Sequence, residues 1–424
     1  MPSKYYPISL DLEKCIGCTN CIKRCPTQAI RVKNEKAKII NDKCIKCGLC
    51  ISVCPYHAFH SVVKGYKGVS RYPHKIAIVD PVIYGQFNTE IMPDQILAAL
   101  RATGFTETYE VSRAADLITA FTKKYLALQK RTPVISSSCP AIIRLIQLRF
   151  PELIHHILPI DSPVEIAAYL ARHEAMEKHN LQWEDIGVFY FTPCAARIAS
   201  YLQPVGTSYS YIDMVIPIKN VYIPMKQQLK DANYKVRNNF YPSGKGISWA
   251  RVGGQSDALG IDEYLAVDGI ENVISLLEEV EYGKIKNVKF LECQACTNGC
   301  IGGTLNVENS FIAKNRIRNL SSRYAAFEPR SFPVSAEQFI FTEHIHPLHA
   351  TKLDKDLSKA LSKLEQVEIT LGNLPGIDCG ACGAPSCRAF AEDIVQGYAV
   401  REECVVLLRQ RYPLSKQDTV NNKK

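Results

Sequence analysis

Hydrophobic and polar positions change their rhythm along the chain. From about residue 75, apolar runs alternate with amphipathic segments, the pattern of an α/β domain. Three apolar runs end at, or just before, a cysteine. Pro133–Ser136 leads to Cys139, Ile186–Thr192 to Cys194, and Val288–Leu291 to the stretch Cys293–Cys300. Ligands of open α/β sheets bind outside the carboxyl ends of strands, so three such strand ends would deliver their thiols to one crevice. Pro140, followed by Ala-Ile-Ile-Arg-Leu-Ile, predicts a helix with proline at its first position. A polar, amphipathic stretch predicts a helix over Leu353–Leu364, and Arg388–Gly397 predicts another.

The 424 residues suffice for two or three domains, and 46% hydrophobic content is ordinary for a globular chain. Apolar runs stay well short of the roughly 20 residues of a membrane span. The start, Met-Pro-Ser-Lys-Tyr-Tyr, lacks a signal-peptide core, which leads us to expect a cytoplasmic protein with reduced thiols.

The chain has 17 cysteines. Cys15, Cys18, Cys21 and Cys25 form a C-x2-C-x2-C-x3-C-P run, and Cys44, Cys47, Cys50 and Cys54 form a second. This register belongs to two-cluster bacterial ferredoxins, in which the fourth cysteine crosses to the other cluster. One [4Fe-4S] cluster is therefore expected on Cys15, Cys18, Cys21 and Cys54, and another on Cys44, Cys47, Cys50 and Cys25. Gly17 and Gly48 suit tight turns around the sulfurs. Zinc is the alternative for C-x2-C pairs, but eight cysteines in a repeated register favour iron and sulfide.

The clusters also change the meaning of the charge. The formal +9 counts every cysteine as neutral. An oxidised four-iron cluster with four thiolates carries about −2, so four clusters would bring the total close to zero. No nucleic-acid partner is expected. The locally basic tail Lys416–Lys424 reads as a solvated end.

Around the scattered central cysteines the chain resembles the catalytic domain of [FeFe]-hydrogenases. The family's Thr-Ser-Cys-Cys-Pro is matched by Ser136-Ser137-Ser138-Cys139-Pro140. Its Met-Pro-Cys-x-x-Lys is matched by Thr192-Pro193-Cys194-Ala195-Ala196-Arg197. Its Glu-x-Met-Ala-Cys-x-x-Gly-Cys-x-x-Gly-Gly is matched by Glu292-Cys293-Gln294-Ala295-Cys296-Thr297-Asn298-Gly299-Cys300, then Gly302-Gly303. Ser162-Pro163-Val164-Glu165 echoes the family's Ser-Pro-x-Gln, and Gly253-Gly254 its glycine loop. The resemblance implies that Cys139, Cys194, Cys296 and Cys300 hold the cubane of an H-cluster. Cys300 would also bridge to a diiron subsite with CO, cyanide and azadithiolate. It implies cofactor-binding roles for Ser162, Glu165, Gly253 and Gly254, and catalytic-pocket roles for Ser138, Arg197, Gln294 and Cys300.

The departures are informative. Ser138 stands where rapid hydrogenases of the family carry a proton-passing cysteine, and a hydroxyl is a far weaker acid than a thiol. Asp116–Tyr125, matching the family's relay helix, contains no glutamate. Arg197 replaces a lysine and Gln294 a methionine. This combination resembles the family's divergent sensory branch. Cys293 reads as a small buried residue beside the centre.

Toward the far end, Cys379, Cys382, Cys387 and Cys404 lie in a Gly-rich segment that resembles the small four-iron domain of Rnf-type and acetyl-CoA synthase/CO dehydrogenase systems. The expected fold is an α/β hydrogenase-like catalytic domain with an α+β ferredoxin-like N-terminal domain and a small, mainly α, C-terminal iron–sulfur domain. The expected boundaries are 1–72, 73–345, a linker and helix at 346–364, and 365–424. His344, His346 and His349 read as part of a solvated linker.

The function expected is slow hydrogen oxidation or proton reduction. The substrates are H2 and protons, the cofactors an H-cluster and three accessory [4Fe-4S] clusters, and the readout a separate redox or signalling protein. The alternative is an electron-transfer or scaffold protein that lacks the diiron subsite. The sequence leaves the oligomeric state open.

Overall fold

The computed structural model describes residues 6–62, 66–129, 131–230, 243–327, 334–350 and 352–411. The basic tail Lys416–Lys424 lies outside them. The chain divides into two compact units.

One unit joins Ser9–Cys44 and Leu49–His60 to Leu348–Lys424. Its strands are β1 (Ile8–Leu10), β2 (Ile30–Lys33), β3 (Lys36–Ile39) and β4 (Phe59–Ser61), paired β1 with β4 and β2 with β3. The antiparallel β2–β3 hairpin turns through Asn34 and Glu35, both at positive φ as tight hairpins require. Each cysteine run contributes a five-residue helix, Asn20–Arg24 and Leu49–Val53.

The C-terminal part of this unit is helical. Asp356 caps the helix Leu357–Gly372 by accepting the Lys359 N–H at 2.9 Å. That cap starts the helix four residues later than the apolar pattern alone suggested, and Gly372 ends it. Ser386 likewise caps Cys387–Val395, accepting from Ala389 N at 3.1 Å. Val367, Leu374, Phe390 and Ala391 form a small core beside Cys404.

Within this unit the early and late segments are stitched together. The Val32 N–H donates to the Gly383 carbonyl at 2.8 Å. The Arg31 guanidinium forks onto the Asp393 carboxylate, with both side chains buried. Lys43 pairs with Glu392 at 3.1 Å. The terminal cysteine segments therefore form one packed body.

The other unit, chiefly Ser61–Pro347 with Ile45–Gly48, holds two parallel sheets. The larger contains β5 (His74–Val79), β6 (Glu107–Glu110), β8 (Ile186–Thr192) and β9 (Met214–Pro217), in the order β6-β5-β8-β9. The smaller contains β7 (Val134–Ile135), β10 (Tyr264–Asp268) and β11 (Phe290–Gln294), in the order β10-β11-β7.

All seven residues of β8 are buried, as expected for a parallel strand covered on both faces. Alternation assigns the faces. Ile76, Ile78, Val188 and Tyr190 point into one core with the helices Val111–Leu128 and Pro163–His179. Ala77, Val79, Phe189 and Phe191 point into the other, with Ile96, Leu100 and Met225.

The three cysteine-bearing strand ends fall in two sheets, not one. β8 belongs to the larger sheet, while β7 and β11 are neighbours in the smaller. β11 also extends through Gln294, so Cys293 lies inside a strand with its side chain fully buried.

Candidate iron–sulfur site

Cys139 and Cys194 stand at helix entrances. Pro140 starts the helix Pro140–Arg149 directly after Cys139, and Ala195–Leu202 follows Cys194. Cys296 and Cys300 lie on the tight turn after β11. Gly303 lets that turn approach closely, since a Cβ there would fall 2.4 Å from the Pro193 carbonyl oxygen. The Leu305 N–H donates to the same oxygen at 2.9 Å, tying the third motif to the second.

Electrostatics reports that the four thiols are neighbours. Burial pushes Cys194, Cys296 and Cys300 up from the usual thiol range. Cys139 and Cys194 add to the rise at Cys296 and Cys300, and Cys139 at Cys194. Such a set cannot ionise without a positive partner.

Four buried thiols make a donor set for a metal ion or an iron–sulfur cluster, since thiolates hold both. Beside them the buried Gln294 Oε1 lacks a hydrogen-bond partner, while its Nε2 donates to Glu292 at 2.9 Å. A group bound at the turn has an acceptor waiting there.

Ser138, just before Cys139, is held in a ring. Gln255 Nε2 donates to Ser138 Oγ at 2.8 Å. Ser136 Oγ lies 2.6 Å from Gln255 Oε1, which only accepts, so Ser136 donates there. Ser136 Oγ also stands as donor to Ser138 Oγ at 3.1 Å, so its one hydrogen is shared between Gln255 and Ser138. All three side chains are buried and line a narrow cavity with Thr122 and Trp249.

Arg197 donates through Nη2 to the Ser138 carbonyl at 3.0 Å. Burial works against its charge, but Tyr190, Cys300, Asp80 and Cys194 outweigh that and raise it further, so it stays cationic. The helix Val111–Leu128 has no glutamate at the expected relay stretch. There Asp116 takes the Ser243 hydroxyl at 2.6 Å, and the Thr119 and Thr122 hydroxyls bond back to their own helix.

The resemblance-derived binding residues have other visible partners. Ser162 caps the helix Pro163–His179. Glu165 accepts from Ser210 Oγ at 2.7 Å and from Tyr211 N at 2.8 Å. The Gly253 N–H donates to Glu292 Oε1 at 2.9 Å, and Gly254 packs against the Ser248 carbonyl.

Sequence reading did not single out Gln255, Glu292 or Asp161. Burial raises Glu292 to about 7 against the hydrogen bonds from Ser256, Gly253 and Gln294. Burial, then Glu165, raises Asp161 to about 8. Asp161, Glu165 and Arg197 line one cavity with Ser137. Only Glu292 carried a signal, as the first residue of its motif.

The accessory cysteines also group. Burial, then Cys18, Cys15 and Cys54, raises Cys21 to about 11, so Cys54 of the second run stands with the first. Burial raises Cys382, with Cys404 and Cys379 contributing. Cys47 is among the thiols acting on Cys296, and Gly48 packs against Thr304 and Ala195 in the same unit.

The model of the iron only hydrogenase large subunit, C-terminal domain, matches residues 74–260 and 225–304. A 4Fe-4S dicluster domain matches residues 9–60, and an Fe-S cluster domain matches residues 374–406. The large subunit of the periplasmic [Fe] hydrogenase of Nitratidesulfovibrio vulgaris is 29% identical over 224 residues, 48% of this chain and 53% of that protein. The chain thus spans about half the length of that relative. An uncharacterized protein of Methanocaldococcus jannaschii is 41% identical over 51 residues, 12% of this chain and 23% of its own. A solved variant of the Chlamydomonas reinhardtii [FeFe]-hydrogenase aligns with TM-score 0.48 and 15% identity over 65% of this chain and 89% of that one.

Proposed function

The chain belongs to the iron-only hydrogenase large-subunit family, and from that premise we propose that it is a slow hydrogen-responsive redox protein acting as a sensor. Cys139, Cys194, Cys296 and Cys300 would hold the cubane of an H-cluster, and Cys300 would also serve its diiron subsite. The remaining cysteine sets would hold three accessory [4Fe-4S] clusters. When bound, the H-cluster supplies exchange of two electrons and two protons with H2.

The observation that carries this reading is the closed ring of Ser138, Ser136 and Gln255. A fast enzyme needs an acid of suitable pKa at the residue before the first ligand. Here a weakly acidic hydroxyl, accepting from Gln255 and Ser136, stands in that place, so proton delivery is throttled while the cluster ligands are kept. Arg197 holds the Ser138 backbone and offers a fixed positive charge to an anionic group. The neighbourhood of Cys47 and Cys296 provides the electron entry, and a separate redox or signalling protein receives the output.

Infrared spectroscopy of protein matured with the diiron precursor tests the reading. CO and cyanide bands that shift under hydrogen are expected, together with low turnover. Cubane signals without those bands would instead establish an electron-transfer or scaffold protein.

A further inference from the structure

At the amino ends of β5 and β6, away from every cysteine motif, three metal-ligating side chains converge. His74 opens β5, Glu107 opens β6, and His179 closes the helix Pro163–His179. One ligand atom from each lies within 4.8 Å of the others. The imidazoles stack at a tilt with centroids 4.9 Å apart, and His179 Nε2 is 2.8 Å from Glu107 Oε1.

His74 makes this more than a surface ion pair. It is only 7% exposed, and its Nε2 has no hydrogen-bond partner. The nearest carboxylate oxygen, Glu107 Oε2, is 3.8 Å away, beyond hydrogen-bond range. A buried ring nitrogen without a partner is costly, and a ligand removes that cost.

We propose that His74, Glu107 and His179 form a binding site for a divalent transition cation of the zinc class. Two imidazoles and a carboxylate suit such an ion and leave a position for water. Ligand atoms about 2.1 Å from one ion stand at most about 4.2 Å apart. Glu107 already lies 2.8 Å from His179 Nε2 and 3.8 Å from His74 Nε2, within that limit.

Burial keeps His74 below the usual histidine range, so its lone pair is available at neutral pH. Burial favours a neutral Glu107, but Lys178 and His179 outweigh it and keep the carboxylate charged.

Lys178 is the competitor. Its ammonium lies 2.7 Å from Glu107 Oε1, and its side chain is 61% exposed. It supplies the positive charge when no ion is bound and swings into solvent when one arrives. The bound ion would fasten the end of the helix Pro163–His179 to two strands of the larger sheet.

The test uses the full chain carrying its iron–sulfur clusters, dialysed against zinc without oxygen. Zinc is counted per chain, and its ligands are read by X-ray absorption. We expect one zinc with nitrogen and oxygen ligands, absent from His179→Ala and His74→Ala and retained in His155→Ala. His179 is partly exposed, so its variant guards against misfolding at the buried His74. Lys178→Ala should bind zinc several-fold more tightly. Sulfur-only ligation, a nitrogen-ligated zinc that survives His179→Ala, or weaker binding in Lys178→Ala overturns the proposal.

Discussion

Gln255 Nε2 donates to the Ser138 hydroxyl at 2.8 Å, across 117 positions of sequence. With Ser136 closing the ring, the hydroxyl beside Cys139 accepts from both neighbours. Ser138→Cys should therefore raise hydrogen turnover about tenfold or more, because a thiol gives up its proton far more readily. Dye-linked hydrogen oxidation by matured protein measures this. An unchanged rate would place the limit at the helix Val111–Leu128, where no glutamate stands.

Glu292 offers an independent check. Its carboxylate accepts from Gly253 N, Ser256 N, Ser256 Oγ and Gln294 Nε2. In Glu292→Gln one oxygen becomes a donor facing the Ser256 N–H. A loss of about 1–3 kcal/mol is expected, the usual cost of a buried group left unsatisfied. Chemical denaturation followed by circular dichroism reads it, and a neutral result would argue against the ordered carboxylate seen here.

Asp161 gives the pH dependence. Its pKa rises from 3.8 to about 8, chiefly through burial. A raised carboxylate pKa adds most to stability below the unfolded value, and the contribution is lost as pH climbs through the folded one. The protein should thus lose stability between about pH 4 and 8 through this group. Asp161→Asn should flatten that slope and melt higher than the parent above pH 8. Melting curves at several pH values decide it; parallel slopes in both proteins would show that Asp161 does not carry the effect.

The Arg31–Asp393 fork predicts a large effect in the smaller unit. Arg31→Ala leaves Asp393 buried without its main partner, which commonly costs about 3–5 kcal/mol. Gly383→Ala should act in the same region, because a Cβ would fall 1.7 Å from the Val32 carbonyl oxygen at a positive φ. Hydrogen exchange should show faster opening of β2 and of the helix Cys387–Val395 in both variants. Unchanged protection of these elements would mean the fork is dispensable.

Much of this was readable along the chain because the relevant signals are local. The strand Ile186–Thr192 and the helix starting at Pro140 depend on neighbouring residues, and both stand as expected. The cysteine spacings are local too, and the dicluster and hydrogenase matches cover them. The partition of the cysteine-bearing strands between two sheets was not legible, since strand pairing joins β7 to β11 across some 150 residues. Nor was the ring around Ser138, because a lone glutamine carries no mark of the serine it will meet. The trio at His74 escaped for the same reason: its members are spread over three elements.

The stitching of Val32 to Gly383 and of Arg31 to Asp393 also sets an order in time. The cysteine runs before His60 leave the ribosome well ahead of their partners, because their unit is completed only by residues beyond Leu348. At roughly 5–20 residues per second, the stretch from His60 to Leu348 takes on the order of 15–60 s to synthesise. During that interval the early thiols wait without their packing partners, exposed to stray metals and oxidants. A module whose parts are synthesised so far apart has much to gain from a chaperone or an early iron–sulfur donor.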